Sequence, residues 1–566
     1  ENIQAASDEV TTTQESLAQT QKDLSAMSYL QFIPVAGWYY GDASHLLQAG
    51  VYGLNATQIL IEAIKPYADV LGLKGTGTFT GGTAQQRIQT AVTTMSKITP
   101  KIDEIAAQAK LAQAEIDKVD PWHYPAIFGG KPINDLLTKV KTYADEGVTF
   151  VDQAKPLIKV LPEMLGEPNA KKYLVLFQND KELRPTGGFL TAYAIFQVEH
   201  GVIKVDKSED IYTLDATIPN KPSAPRPILQ YLPKVPLWNI RDTNISPDFK
   251  TSMDEFNKMY QTSSEYEKVD GIIAIDTHVL VTAMTVLGDI SVDGQTFSTK
   301  EDPTCHCAQV IHALEISADQ PTETVRTNRK GIIGDLMYAI MQKAFSSSPK
   351  LYWGQLFQAM ISDISEKHML FDLYNSDAQS GLDALNATGQ IKAFDGDYLH
   401  INDTNFGGAK SNLYVTEAVI DDYHIASDGT VTKTITINYK NPYPPSDCNL
   451  EHGNLCLNAV FRDWLRLYVP QGSKLVSSKG SQVDMKNYDE LGKTVFEGFL
   501  TVAPLGSTTF TISYTLPFKL ASGSPLPVLI QKQPGTDANS YVISRDGGTL
   551  QSFTLTTDKQ TILHLR

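Results

Sequence analysis

Arg184, Thr186, Gly187 and Gly188 fall within one polar run, Asn179-Asp-Lys-Glu-Leu-Arg-Pro-Thr-Gly-Gly188, set between two apolar stretches. A polar turn beside core strands is a usual place for function. The guanidinium of Arg184 offers a planar fork suited to phosphate or carboxylate, Thr186 adds a hydroxyl, and the glycine pair leaves backbone N–H groups open to close approach. The same residues also suit a structural turn, in which Arg184 pairs with Asp180 or Glu182 and the glycines answer a steric demand. Two further groups carry arginines: Arg241-Asp242 with Asp248, and Arg326-Thr-Asn-Arg329-Lys330, whose guanidiniums would share one helical face. Together Arg184, Thr186, Gly187, Gly188, Arg241, Arg326 and Arg329 are candidates for binding a pyrophosphate. Asp242 and Asp248 are candidates for Mg²⁺, which takes one or two carboxylates plus phosphate oxygens. For each group alone, a surface ion pair is the competing assignment.

The four cysteines allow two local links. Cys448 and Cys456 flank a short polar loop, and in an exported chain a disulfide is expected there. Cys305-His-Cys307 with His312 supplies soft ligands that could hold zinc, but a second local disulfide, Cys305 to Cys307, is the preferred reading. The sequence has no HExxH, no complete phosphate loop, no EF-hand and no nucleophile elbow. Gly75-Thr-Gly77 has no strand before it and reads as an interhelix loop, while Gly408-Ala-Lys-Ser411 copies only the end of a phosphate loop.

These groups must be positioned by a chain of 566 residues, long enough for three or four domains. Its 42% apolar and 20% charged residues are those of a globular protein. The formal charge of −16, unrelieved by any basic cluster, argues against nucleic acid as a partner. No stretch approaches the length of a membrane helix, and the chain starts at Glu1 without methionine, so a trimmed form of an exported or anchored protein is expected. Asn-x-Ser/Thr sites at Asn55, Asn244, Asn386 and Asn402 are compatible with export.

Helical spacing runs through residues 1–166, in stripes such as Val10, Leu17, Leu24, Met27 and Ile88, Val92, Met95, Ile98, Ile102, Ile105. This predicts a helical bundle. From Tyr173 the period changes: Tyr173–Phe177, Phe189–Phe196, Val202–Val205 and Val269–Ile275 read as strands, and His278–Leu287 and Ile332–Leu356 as helical stretches, giving an α/β layered domain over 167–410. Residues 411–566 carry short alternating strands at Leu413–Ile420, Val431–Tyr439, Trp464–Val469, Thr494–Val502, Thr508–Tyr514, Val528–Gln531 and Ser552–Leu555, a β-sandwich pattern with an Asp428-Gly429 hairpin turn. The expected class is multidomain α+β.

Several phrases carry a family resemblance: Tyr173-Leu-Val-Leu-Phe-Gln-Asn, Glu182-Leu-Arg-Pro-Thr-Gly-Gly-Phe189, Arg241-Asp-Thr-Asn-Ile-Ser-Pro-Asp-Phe249, Asp270-Gly-Ile-Ile-Ala-Ile-Asp276, Asn405-Phe-Gly-Gly-Ala-Lys-Ser411 and Gln531-Lys-Gln-Pro-Gly535. The set resembles the bacterial domain of unknown function 4012 family, and the resemblance implies export with an N-terminal membrane anchor, which would make the helical bundle of residues 1–166 membrane-proximal. More distantly, Tyr173 to Tyr374 resembles the LytR-CpsA-Psr phosphotransferases, which move glycopolymers from polyprenyl pyrophosphate to the wall. Arg326-Thr-Asn-Arg329-Lys330 looks like that family's Arg-x-x-Arg-Gln motif with Lys330 in place of glutamine. Pro185-Thr186 stands where an acidic residue is expected. The resemblance implies a pyrophosphate-binding surface, and the departures weigh against catalysis. The expected function is therefore a non-catalytic cell-envelope surface protein, with a structural, self-assembling (surface-layer) or glycopolymer-binding role and no required cofactor. The alternative is a Mg²⁺-dependent phosphotransferase acting on polyprenyl-pyrophosphate-linked glycopolymers. The expected partners are an envelope glycopolymer or polyprenyl lipid, the membrane through a removed N-terminal anchor, and further copies of the chain.

Overall fold

Helix-forming periodicity dominates the first third, and five helices form there among the described residues: α1 (Ile3–Ala26), α2 (Ala36–Ile64), α3 (Ala84–Ile98), α4 (Ile102–Asp117) and α5 (Lys131–Met164). The computed structural model describes residues 3–67, 84–124, 131–232, 234–319, 331–347, 352, 354–449, 455–521 and 523–565. The Gly75-Thr-Gly77 loop lies outside them. The Ile88-to-Ile105 stripe is split by a 3-10 turn at Thr99–Lys101, since Pro100 has no N–H to continue an α-helix. The bundle exposes aromatic residues where the α1–α2 corner meets the exit of α4. Phe32 is 81% and Trp122 85% exposed, and Trp38 stacks on His123 at 5.1 Å. No Asp, Glu, Lys or Arg occurs between Leu24 and Gly41.

The bundle meets the next domain through α3 and the end of α5. A Cβ on Gly201 would lie 2.5 Å from Val92 and 2.7 Å from Ile88, so the turn between β2 (Phe189–Glu199) and β3 (Val202–Asp210) accepts the helix only with glycine there. In β1 (Lys171–Asn179), Leu174 and Leu176 enter one apolar cluster and Val175 and Phe177 another, as expected of a strand covered on both faces. β4 (Gly271–Asp276) runs parallel to β1. Two short hairpins follow, β5 (Ile290–Val292) with β6 (Gln295–Phe297) and β7 (Glu301–Asp302) with β8 (Cys307–Ala308). β9 (Met369–Leu373) then completes a sheet of order β3-β2-β1-β4-β9.

One face of this sheet is covered by α6 (Ile211–Ala216) and α8 (Phe249–Tyr260), through Ile211, Phe249, Met253 and Phe256. Between them lies α7 (Arg226–Tyr231), whose Ile228 and Tyr231 pack on the C-terminal domain instead. The other face is covered by α9 (Thr277–Leu287), α10 (Gln309–Asp319) and α11 (Gly331–Ser346). α12 (Gly354–Ser365) follows as a separate helix, where the sequence pattern suggested one stretch to Leu356. α13 (Ser376–Ala384) packs Ala378 and Leu382 on Val160 and Met164 of α5.

The sandwich starts earlier than residue 411. β10 (Asp397–Asn402) pairs with β13 (Phe461–Pro470) and β18 (Leu526–Ile530), so the sheets change hands between β9 and β10. This six-residue strand is buried on both sides, which erases the alternation that would mark it in sequence. The remaining strands are β11 (Thr416–Ile425), β12 (Thr430–Asn441), β14 (Lys474–Lys479), β15 (Lys486–Glu490), β16 (Lys493–Val502), β17 (Gly506–Lys519), β19 (Asn539–Arg545), β20 (Gly548–Leu555) and β21 (Lys559–Leu563). They form two six-stranded sheets, β15-β16-β13-β10-β18-β21 and β14-β17-β12-β11-β19-β20, closed over a common apolar core. The architecture is multidomain α+β.

Burial moves several acids in one direction. Asp372 and Asp421 are pushed up to about 6 by burial, against the pull of Lys250 and Lys433 respectively. Asp403, Glu417 and Asp463, hydrogen-bonded in a chain, are likewise raised by burial. Between the ordinary value of 3.8 and about 6, the folded state holds more protons at these groups than the unfolded chain, so their contribution is present in acid and is lost as pH rises. Lowered histidines act oppositely, among them His400, brought down to about 4 by burial, but the raised acids outnumber them. The melting temperature is expected to be higher at about pH 5 than at about pH 7.5. A rise over that interval would show that these acids are ionised in the fold.

Candidate functional site

The polar turn at 179–188 lies at the junction of the α/β domain and the sandwich. Arg184 is buried; its guanidinium pairs with Glu182 at 2.9 Å and donates to the Asn405 carbonyl. Lys410 donates to the second oxygen of Glu182 at 2.9 Å, and the two cations hold that carboxyl below its usual range despite burial. Thr186 donates to Gln178 Oε1 at 2.7 Å and accepts from Asn244 at 3.0 Å. Gln533 donates to the Arg184 carbonyl at 3.2 Å, and the Asn405 N–H to the Leu183 carbonyl at 3.0 Å. The two glycines do permit close approach, but the approaching backbone is the chain's own: a Cβ on Gly535 would lie 1.8 Å from the Gly187 carbonyl oxygen, and one on Gly188 would lie 2.3 Å from the Asn179 backbone. The Asn405–Ser411 and Gln531–Gly535 phrases are thus the sandwich side of an interdomain seal, and the turn from Glu182 to Phe189 is its α/β side.

The other arginines and acids have separate tasks. Arg241 pairs with Asp215 and stacks over Tyr212 at 4.5 Å. Asp242 is raised by burial, against the nearby Arg241 and Arg184. Asp248 caps α8, accepting from the Thr251 N–H at 2.9 Å with one oxygen and from the Ile391 N–H at 3.0 Å with the other. The space among Arg184, Asp242 and Phe406 is about 10 Å³, no more than one water needs. Arg326 and Arg329 lie outside the described residues. Both cysteine pairs are disulfides, Cys305–Cys307 and Cys448–Cys456. With its sulfur engaged, Cys305 is no zinc ligand, and His312 instead pairs with Asp302 at 2.7 Å. Asn244 and Asn402 are buried within the junction and are not glycan acceptors in the fold.

A larger cavity opens nearby, about 480 Å³, between α7 and α8 on one side and β13, β15 and β16 on the other. Along β13, Leu465 and Leu467 enter the sandwich core, so Trp464 and Arg466 must point the other way, toward the α/β domain. The Arg466 guanidinium lies 3.8 Å from the centre of the Trp464 ring and donates to Asn402 Oδ1 at 2.7 Å, the Ile245 carbonyl at 2.9 Å and Tyr468 OH at 2.9 Å. Its Nε, and Trp464 Nε1, are buried with no acceptor among the described residues. Glu497 accepts from Arg226 at 2.6 Å and from Tyr488 OH at 3.1 Å, and Glu490 from Tyr468 OH at 2.8 Å. The wall therefore offers unclaimed donors, carboxylate acceptors and aromatic surface in one place. Sequence reasoning missed it, reading Trp464–Val469 only as a strand. The available signal was a Trp, Arg, Tyr set on the face opposite two leucines.

A second polar group, also missed, gathers at the carboxyl end of β4, the usual position for sites in α/β sheets. Asp276 ends that strand; its Oδ1 accepts from the His278 N–H at 3.0 Å and its Oδ2 contacts His368 Nδ1 at 2.6 Å. The His278 and His368 rings stack at 3.9 Å. Burial raises Asp276 to about 6, against the opposing pull of His368.

Residues 169–306, which span the polar turn and the first four strands of the α/β sheet, match the family described as a protein of unknown function, DUF4012. No curated protein matches the chain. Among solved structures, the X-ray structure of the Lin1025 protein from Listeria innocua aligns over 42% of this chain and 86% of its own length, at 12% identity and a TM-score of 0.20, too weak a likeness to bear on function.

Proposed function

We propose, from the DUF4012 match of the central domain as premise, that the protein is a non-catalytic component of the bacterial cell envelope. Its junction cavity binds a neutral or N-acetylated sugar unit of an envelope glycopolymer. The observation that carries this reading is the pair of buried, unclaimed donors, Trp464 Nε1–H and Arg466 Nε–H, in the wall of a 480 Å³ cavity. A buried donor left unpaired costs about 1–3 kcal/mol, and a ligand oxygen that accepts from it recovers that cost. Sugar hydroxyls both accept and donate, so the same ligand can engage Glu490 or Glu497, while its C–H face lies against Tyr488. Two arginines face three carboxylates there, Glu255, Glu490 and Glu497, a balance that suits a neutral ligand and disfavours a diphosphate.

Envelope placement is supported by the absence of free cysteines, since disulfides persist in oxidising compartments. The uncharged, aromatic end of the bundle would suit a membrane boundary, and an N-terminal anchor and assembly of copies belong to the same proposal. No helix among the described residues is long and apolar enough to cross a membrane. The competing phosphotransferase reading, with a LytR-CpsA-Psr-like domain, would need Arg184 and Arg241 to leave Glu182 and Asp215.

The test is calorimetric titration of the full chain with neutral and N-acetylated wall di- and tetrasaccharides. Trp464→Phe keeps an aromatic ring and removes the indole donor, so it should weaken binding by about 2–10-fold, the worth of one hydrogen bond, beside a somewhat lowered melt from the smaller ring in the buried cluster. Absence of heat with every saccharide at millimolar concentration would overturn the reading. A soluble prenyl diphosphate with Mg²⁺ should neither bind nor transfer its phosphoryl group; transfer would establish the alternative.

A further inference from the structure

We propose that His278, Glu366 and His368 form a binding site for a divalent first-row transition metal, with Zn²⁺ as its most accessible occupant. One ligand atom from each of the three lies within 4.8 Å of the other two, close enough for a single ion to draw them together. They come from two chain segments: His278 sits in the first turn of α9, and Glu366 and His368 sit in the corner between α12 and β9. Two imidazoles and one carboxylate make a donor set that suits zinc and related ions and leaves further coordination positions to water.

The surroundings are built as an outer shell. Asp276 Oδ2 lies 2.6 Å from His368 Nδ1, which places the ring proton on Nδ1 and leaves Nε2 as the free lone pair. The other oxygen of the same carboxylate accepts the His278 backbone N–H at 3.0 Å, so one buried acid orients both histidines. His278 Nε2 is 3.8 Å from Asp363, and its Nδ1 is 4.0 Å from Asp537. Glu366 accepts from Ser362 at 2.9 Å through Oε1, leaving Oε2 with no partner among the described residues. The rings are parallel to within 6°, and a metal between their nitrogens would replace this stack by splaying them. His368 is buried, whereas His278 and Glu366 are half-exposed, so an ion can enter from solvent without unfolding the corner. Asp180, Asp276, Asp363, Glu366 and Asp537 outnumber the nearby Lys181 and Lys532, giving the pocket a field that attracts a cation. This site is independent of the sugar-binding reading, whose residues lie on the other side of the sheet.

The test is metal analysis and calorimetric titration of the untagged full chain with ZnCl₂ after chelator treatment, with MnCl₂ and NiCl₂ as further arms. One equivalent of Zn²⁺ per chain is expected, with a higher melting temperature. Glu366→Gln and His278→Gln, both at half-exposed positions, should each weaken binding at least 10-fold while the metal-free melt is unchanged. Asp276→Asn should weaken it about 10–100-fold through the His368 ring, without changing the stoichiometry. His424→Ala, at an exposed histidine paired with Asp546, should leave binding intact. Failure of the wild type to take up stoichiometric Zn²⁺, or wild-type affinity in both Glu366→Gln and His278→Gln, would overturn the proposal.

Discussion

Replacing Lys433 by methionine is expected to cost about 3–5 kcal/mol of stability, the scale seen when one partner of a buried ion pair is removed. The Lys433 side chain is fully buried, with its Nζ 2.6 Å from Asp397 and 3.0 Å from Asp421, both equally buried. Asp397 belongs to one sheet of the sandwich, and Asp421 and Lys433 to the other, so the ammonium ties the two layers together. Tyr423 OH also donates to Asp397. Without the lysine, two carboxylates face each other in an apolar core, and at least one must take up a proton. Urea unfolding at neutral pH measures the loss, and the variant should recover part of it in acid, where the carboxylates are neutral. A change below about 1 kcal/mol would mean that water reaches the triad. Replacing all three members with apolar residues of similar volume should be far less damaging than the single change.

Gly535→Ala is expected to be the most damaging substitution at the domain junction, at about 2–5 kcal/mol. Its new methyl group would sit 1.8 Å from the Gly187 carbonyl oxygen, an atom fixed in the backbone, and Gly535 has φ of +74°, where a side chain is already unfavourable. The turn would have to move off Arg184, Gln533 and Asn405 together. Thermal melts should show the loss directly, and the α/β and sandwich domains should begin to unfold separately. A single transition within about 0.5 kcal/mol of wild type would show that the two loops are not in contact.

These two sites differ in how visible they were. Gly535 stood inside a phrase that the family resemblance singled out, yet the reason for that phrase, contact with the turn at Gly187, links positions 348 residues apart and has no local signature. Lys433 sat at a core-facing position of a clean alternating strand and gave no sign that its charge was buried, because its partners come from two other strands. The same holds for the arginines. Arg184 has the chemistry of an anion ligand in sequence, and the fold supplies it with Glu182 and a carbonyl from residue 405.

What the sequence determined by itself was the order of the layers: helical spacing to residue 166, a change to strands at Tyr173, and alternation in the C-terminal third. Both disulfides were also legible, since their partners are separated by only 2 and 8 positions. These features depend on near neighbours, where backbone periodicity and short loops leave few alternatives. Tertiary structure alone decided that β10 joins the sandwich, that the polar turn is sealed against Gly535, and that Trp464, Arg466 and Glu497 share a cavity wall. It also brought His278 within reach of His368, across 90 residues of sequence. In each case the physical meaning of a side chain is set by which distant charge, carbonyl or ring desolvates it, and that partner is chosen only when the sheets pack.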